Sequence, residues 1–135
     1  MVNMSAVYSG DLRCELTHGP SGATIATDAP KDNMGRGEAF SPTDMVGAAL
    51  AACALTTMAI VAKRSGIAFE GARAEVGKEM VADPLRRIGA LPLKIAMPKG
   101  LTPDQRAKLE NAARTCPVHK SLHPDVRAEI SFEYA

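Results

Sequence analysis

Three cysteines, Cys14, Cys53 and Cys116, and the histidines beside the last of them are where this 135-residue sequence could carry chemistry. A thiolate is a nucleophile, a metal ligand and a site of oxidation. Cys116 stands directly before Pro117, a residue suited to the first position of a helix. If residues 117–122 turn helically, Cys116 caps them and free backbone N–H groups point at its sulfur. His119 and Lys120 would add positive charge, and the arrangement as a whole favours the thiolate. The bland alternative is an inert, partly buried cysteine at a turn.

Cys53 is set differently, eleven positions past Pro42 and within an apolar helix. A thiol there is by default a small hydrophobe. Activating it requires a cation or hydrogen-bond donor brought up by the rest of the fold.

Cys116, His119 and His123 also form a C-x2-H-x3-H cluster, and zinc accepts both ligand types. No second pair of cysteines at short spacing accompanies it, and Pro124 marks a surface turn after His123. Neither a metal nor a cofactor is therefore expected. His18, beside Gly19-Pro20, reads as a hairpin residue. Phosphate-binding glycine loops, a serine nucleophile elbow and paired-carboxylate motifs are missing from the sequence.

The elements that must hold these residues punctuate clearly. Ser5 to Thr27 alternates apolar and polar residues as two or three antiparallel strands, with a hairpin at Gly19-Pro20-Ser21-Gly22. Residues 28–40 read as loop. Ser41-Pro42-Thr43-Asp44 then supplies a capping hydroxyl, a proline at the first helical position and a carboxylate three residues after the cap. Lys63 and Arg64 suit the negative end of that helix and Gly66 stops it. Two strand-like stretches, 68–80 and 87–96, are separated by Asp83-Pro84. Thr102-Pro103-Asp104-Gln105 opens a second helix running to about Thr115, with Leu101, Ala107–Leu109 and Ala112–Ala113 facing inward. Val126, Ala128, Ile130, Phe132 and Tyr134 alternate with polar residues as a final strand. The order βββ-α-ββ-α-β predicts a single α+β domain over residues 1–135, its long helix lying against antiparallel sheet.

That long helix contains Met45 to Ala62, 18 residues without a charge. The length could span a bilayer. Its alanine-rich composition, with two leucines and no phenylalanine, suits insertion poorly, so no membrane partner is expected. A helix apolar all round must be buried all round, and so short a chain has little material to cover it. An obligate homodimer would supply the cover. Net charge is +1, with 16 Lys+Arg against 15 Asp+Glu and no Trp, which provides neither a basic footprint nor a stacking platform for nucleic acid. An odd number of widely spaced cysteines and an N-terminus without signal-peptide character point to reducing cytoplasm.

The run Ser41-Pro42-Thr-Asp-Met-Val-Gly-Ala-Ala-Leu-Ala-Ala-Cys53, followed by Ala-Leu-Thr-Thr-Met, resembles the central-helix signature of the OsmC/Ohr superfamily, the osmotically inducible and organic hydroperoxide resistance proteins. The resemblance is strengthened by Cys116 within Ala112-Ala-Arg-Thr-Cys116-Pro-Val-His-Lys-Ser-Leu, and in element order it covers nearly the whole chain. It implies an intertwined homodimer with long central helices enclosed by sheets from both subunits. It further implies thiol peroxidase chemistry, with Cys53 the peroxidatic and Cys116 the resolving cysteine. Organic hydroperoxide would be the substrate, and a dithiol, in the Ohr branch a lipoylated protein, the reductant.

The match departs from the Ohr branch at two points. Thr43 stands where that branch has a Glu, while Asp44 resembles the acidic position of less characterised OsmC-like branches. The hairpin at 18–22 also lacks the Arg that would steady the attacking thiolate; Arg13 and Arg36 are the nearby substitutes. Without such a pair Cys53 is expected to be less activated and slower to attack. The alternative function is a small-ligand-binding, thiol-exchange or redox-sensing protein with little peroxidase activity.

Overall fold

In the computed structural model, which describes residues 1–135, the chain forms two units, 1–46 and 47–135. In the first, β1 (Met4–Gly10), β2 (Arg13–His18) and β3 (Thr24–Asp28) pair antiparallel in that order. Tyr8 faces Cys14 across one ladder and Cys14 faces Thr27 across the other. The hairpin at 18–23 is present, closed by His18 N–H to the Ala23 carbonyl at 2.8 Å. A tighter turn at Gly10-Asp11-Leu12 went unforeseen. All three residues have positive φ, and Leu12 is a residue type that rarely goes there, so no turn signature announces it. Residues 29–40 are irregular apart from one 3-10 turn at Lys31–Asn33. Gly35 is required in this loop, since a Cβ would collide with the Ala29 carbonyl.

Helix α1 (Pro42–Arg64) starts in the first unit and continues through the second. Its cap is reciprocal, as the sequence predicts. The Asp44 N–H donates to Ser41 Oγ at 3.1 Å and the Ser41 N–H to Asp44 Oδ2 at 2.9 Å. At the other end Gly66 takes φ +65° and the Ile67 N–H reaches back to the Ala62 carbonyl at 2.9 Å, a Schellman closure. Length and composition would allow α1 to cross a membrane, a test that the core helix of a soluble protein also passes. Here Gly47, Leu50, Ala54, Met58 and Ala62 form one buried stripe. Gly47 lies against Leu91 and Val76, close enough that a Cβ would sit 3.3 Å from Leu91 Cδ2. The helix is not buried all round within one chain: Ala49, Ala52, Thr56 and Ile60 are exposed.

The remainder comprises β4 (Arg73–Val76), β5 (Glu79–Val81), β6 (Arg87–Ala90), β7 (Leu93–Ala96), α2 (Pro103–Arg114), α3 (Pro117–Ser121) and β8 (Ile130–Glu133). The two anticipated strand stretches are thus four shorter strands. Pro92 has no N–H to give a ladder, and the Gly77 N–H instead donates to its carbonyl at 2.9 Å, so both stretches break at that level. β4, β7 and β8 form one sheet and β5–β6 a hairpin. The expectation of antiparallel sheets is corrected at one ladder, because β8 runs parallel to β7, with Ile95 opposite Phe132. The final strand is also shorter than its alternating pattern; at 126–129 only a bridge between Ala90 and Arg127 forms. α2 carries the anticipated Thr102–Gln105 capping box, but Ala107 and Lys108 are exposed and Leu109, Ala112 and Ala113 make its inner face. Leu91, Leu93 and Ile95 pack in the core with Leu50, Met58 and Leu109, all at most 1% exposed.

Candidate functional site

Cys53 lies half-buried in the middle of α1, one turn before Thr57, whose Oγ1 is 4.0 Å from its sulfur. Cys116 is reached by a different local logic. α2 ends at Thr115, and Pro117 lacks the N–H needed to continue the ladder but suits the first turn of α3. Cys116 is left between them as the N-cap of α3, at φ −62° and ψ 146°, and its sulfur accepts the His119 N–H at 3.4 Å. Its side chain is fully buried.

The fold brings these two cysteines together. The Cys53 thiol lies near enough to Cys116 to be one of the groups that influence its ionisation. Both are free thiols. Burial pushes the Cys116 thiol up from its ordinary range; the His119 N–H opposes that, and Cys53 adds to it. The expectation that the helix start would make Cys116 a thiolate is therefore corrected. α3 is only five residues long, and its N–H groups do not offset the loss of water around the sulfur. The cations anticipated there are directed elsewhere. His119 Nε2 lies 3.0 Å from the Ala128 carbonyl, which makes that nitrogen the donor, and Lys120 is exposed.

The C-x2-H-x3-H cluster does not converge either. The His123 ring accepts from the Asp125 N–H at 3.1 Å, away from the His119–Ala128 contact, and no set of three His, Cys, Asp or Glu side chains is placed to hold a metal ion.

Within the first unit, Arg13 opens β2 immediately after the unforeseen turn and is held by two carboxylates. Its Nη2 donates to Glu38 Oε2 at 2.7 Å and to Asp28 Oδ2 at 3.3 Å. Asp28 is fully buried, and the Glu38 N–H bonded to Oδ2 at 3.0 Å is the first cause that holds its carboxyl below the usual carboxylate range, with Arg13 helping. Arg36 lies exposed in the following loop, and Cys14 is half-buried on β2. Asp28, Glu38 and Thr57 escaped the sequence reading. Only Thr57 left a signal there, its four-residue spacing from Cys53.

The family model that describes OsmC-like protein matches residues 35–131, a segment holding both cysteines. The chain belongs to this family. A Psychrobacter arcticus structure, of a protein named for osmotic stress induction and a detoxification response, is 42% identical to this OsmC-like protein. It covers 98% of this chain and 96% of its own, with a TM-score of 0.92. More distant structures share the fold. A Legionella pneumophila organic hydroperoxide resistance protein OsmC is 18% identical, with a TM-score of 0.79 over 98% of this chain and 96% of that one. The Bacillus subtilis organic hydroperoxide resistance protein OhrB is 20% identical, with a TM-score of 0.70 over 98% of both. None of the curated proteins matches this sequence.

Proposed function

We propose that this OsmC-like protein is a thiol-dependent peroxidase that reduces organic hydroperoxides through Cys53 and Cys116. The observation that carries the reading is a half-buried Cys53 near enough to influence the thiol of a fully buried Cys116, which burial pushes up and keeps protonated at neutral pH. The Cys53 thiolate attacks the O–O bond. An S–O bond forms, the O–O pair leaves with the alkoxide, and a proton converts that to alcohol, leaving Cys53 as sulfenic acid. The Cys116 thiol then displaces the sulfenic oxygen as water and forms the disulfide. A dithiol, a lipoylated protein in keeping with the Ohr resemblance, reduces it and is itself oxidised to a disulfide. Burial of Cys116 keeps it from competing for peroxide, which fits a resolving role.

Consumption of cumene hydroperoxide with dihydrolipoamide, wild type against Cys53→Ser, tests this. Turnover by the wild type that is lost in the variant supports the peroxidase; equal rates overturn it. Thiol exchange or redox sensing with slow turnover is the second reading. It is favoured by Arg13, one of the two substitutes for the missing hairpin arginine, being bound to Asp28 and Glu38.

The homodimer belongs to the same proposal. No apolar side chain of residues 1–46 is buried, and Met4, Val7, Tyr8, Ile25 and Phe40 are each more than half exposed. A three-stranded sheet needs an apolar face to be covered, and a second copy supplies that cover, along with cover for the Ala49–Ile60 face of α1. Light scattering during gel filtration is expected to give twice the mass of one chain. The three free thiols fit the reducing cytoplasm as its location.

A further inference from the structure

Thr57 follows Cys53 by one helical turn on α1, and both side chains are half-buried. A threonine inside a helix ordinarily returns its hydroxyl to the carbonyl four residues back, which here is that of Cys53 itself. In this structure the contact made by Oγ1 is instead with the Cys53 sulfur, at 4.0 Å. Between a thiol and a hydroxyl, either can donate. Once Cys53 has lost its proton only the hydroxyl can, and a hydrogen bond to a charged acceptor is stronger than one between neutral groups.

We propose that Thr57 is the hydrogen-bond donor that orients and stabilises the Cys53 thiolate. The inference rests on the reading of Cys53 as the attacking thiol. It assigns to a side chain of the same helix the donor that a mid-helix cysteine requires, since the helix N-terminus lies too far away to serve. Hydroxyl donation lowers the free energy of the ionised sulfur and fixes it on the helix face where peroxide must arrive.

The experiment follows alkylation of Cys53 by iodoacetamide, read by peptide mass mapping across neutral and alkaline pH, in the full-length chain. Thr57→Val and Thr57→Ala both remove the hydroxyl and differ in packing. Each is expected to slow alkylation of Cys53 at neutral pH by roughly three- to tenfold. Thr57→Ser should restore the wild-type profile. Superposition of the Val and Ala profiles on wild type overturns the proposal, as does a Ser variant impaired like the others. Peroxide consumption by the same variants keeps the two readings apart. A shifted alkylation profile in proteins that consume no peroxide supports Thr57 and overturns the peroxidase; an unshifted profile with intact turnover does the reverse.

Discussion

Cys116 caps α3, its sulfur accepting the His119 N–H at 3.4 Å, and Cys53 is near enough to be one of the groups that push its thiol up. The two cysteines are 63 positions apart in sequence and sit in unlike surroundings, one fully buried and one half-buried. That asymmetry separates a thiol that meets solvent from one that waits behind it.

Differential alkylation follows from it. At neutral pH, iodoacetamide is expected to modify Cys53 roughly tenfold or more faster than Cys116, which is both shielded and held protonated by burial. Mapping the labelled peptides checks this. Comparable rates in the folded protein would remove the basis for assigning the roles.

Oxidation gives a second outcome. One equivalent of organic hydroperoxide should remove two hydrogens per chain and yield a Cys53–Cys116 cross-linked peptide. Cys116→Ser should instead accumulate a sulfenic acid on Cys53, trapped by dimedone, and Cys53→Ser should do neither.

The reciprocal cap at the start of α1 is a stability prediction. Ser41→Ala removes the oxygen that accepts the Asp44 N–H at 3.1 Å, and should cost about 1 kcal/mol in urea unfolding. Asp44→Asn, which keeps an acceptor for the Ser41 N–H, should cost less.

Gly47 predicts a graded packing response. Gly47→Ala places a methyl 3.3 Å from the flexible end of Leu91, which can shift a few tenths of an ångström. Gly47→Val adds bulk towards Leu91 and Val76 together and should destabilise by about 1–3 kcal/mol, read from the shift in unfolding midpoint.

Alkaline behaviour is tied to Tyr134. Its hydroxyl donates to Glu110 Oε1 at 2.5 Å and its ring lies under Arg106, 4.2 Å from the centroid. Burial, and then Glu110, push the phenol up to about 12. Between about pH 10, where an unfolded tyrosine ionises, and about pH 12, the unfolded chain has released a proton that the native chain retains. Stability from this group is therefore present below about pH 10 and is lost as pH rises through that window. In a Tyr8→Phe variant, which leaves Tyr134 as the single tyrosine, absorbance at the phenolate band should titrate near the upper end of it.

Sequence alone determined what local chemistry controls. The Ser41–Asp44 and Thr102–Gln105 caps, the Gly66 stop and the break at Cys116-Pro117 are all encoded within four residues of where they act. Their partners are backbone groups of the same turn, and this is why they are legible. The residue pattern around Cys53 and Cys116 likewise carried the family. Tertiary structure decided what depends on residues far apart in the chain. The parallel seating of β8 on β7 and the breaks at Gly77 and Pro92 arise from pairing between distant segments, which alternation of side chains cannot specify. The same holds for the state of Cys116. Its helix start and neighbouring His119 and Lys120 argue for a thiolate, but ionisation depends on how much water the fold leaves around the sulfur, and here it leaves none.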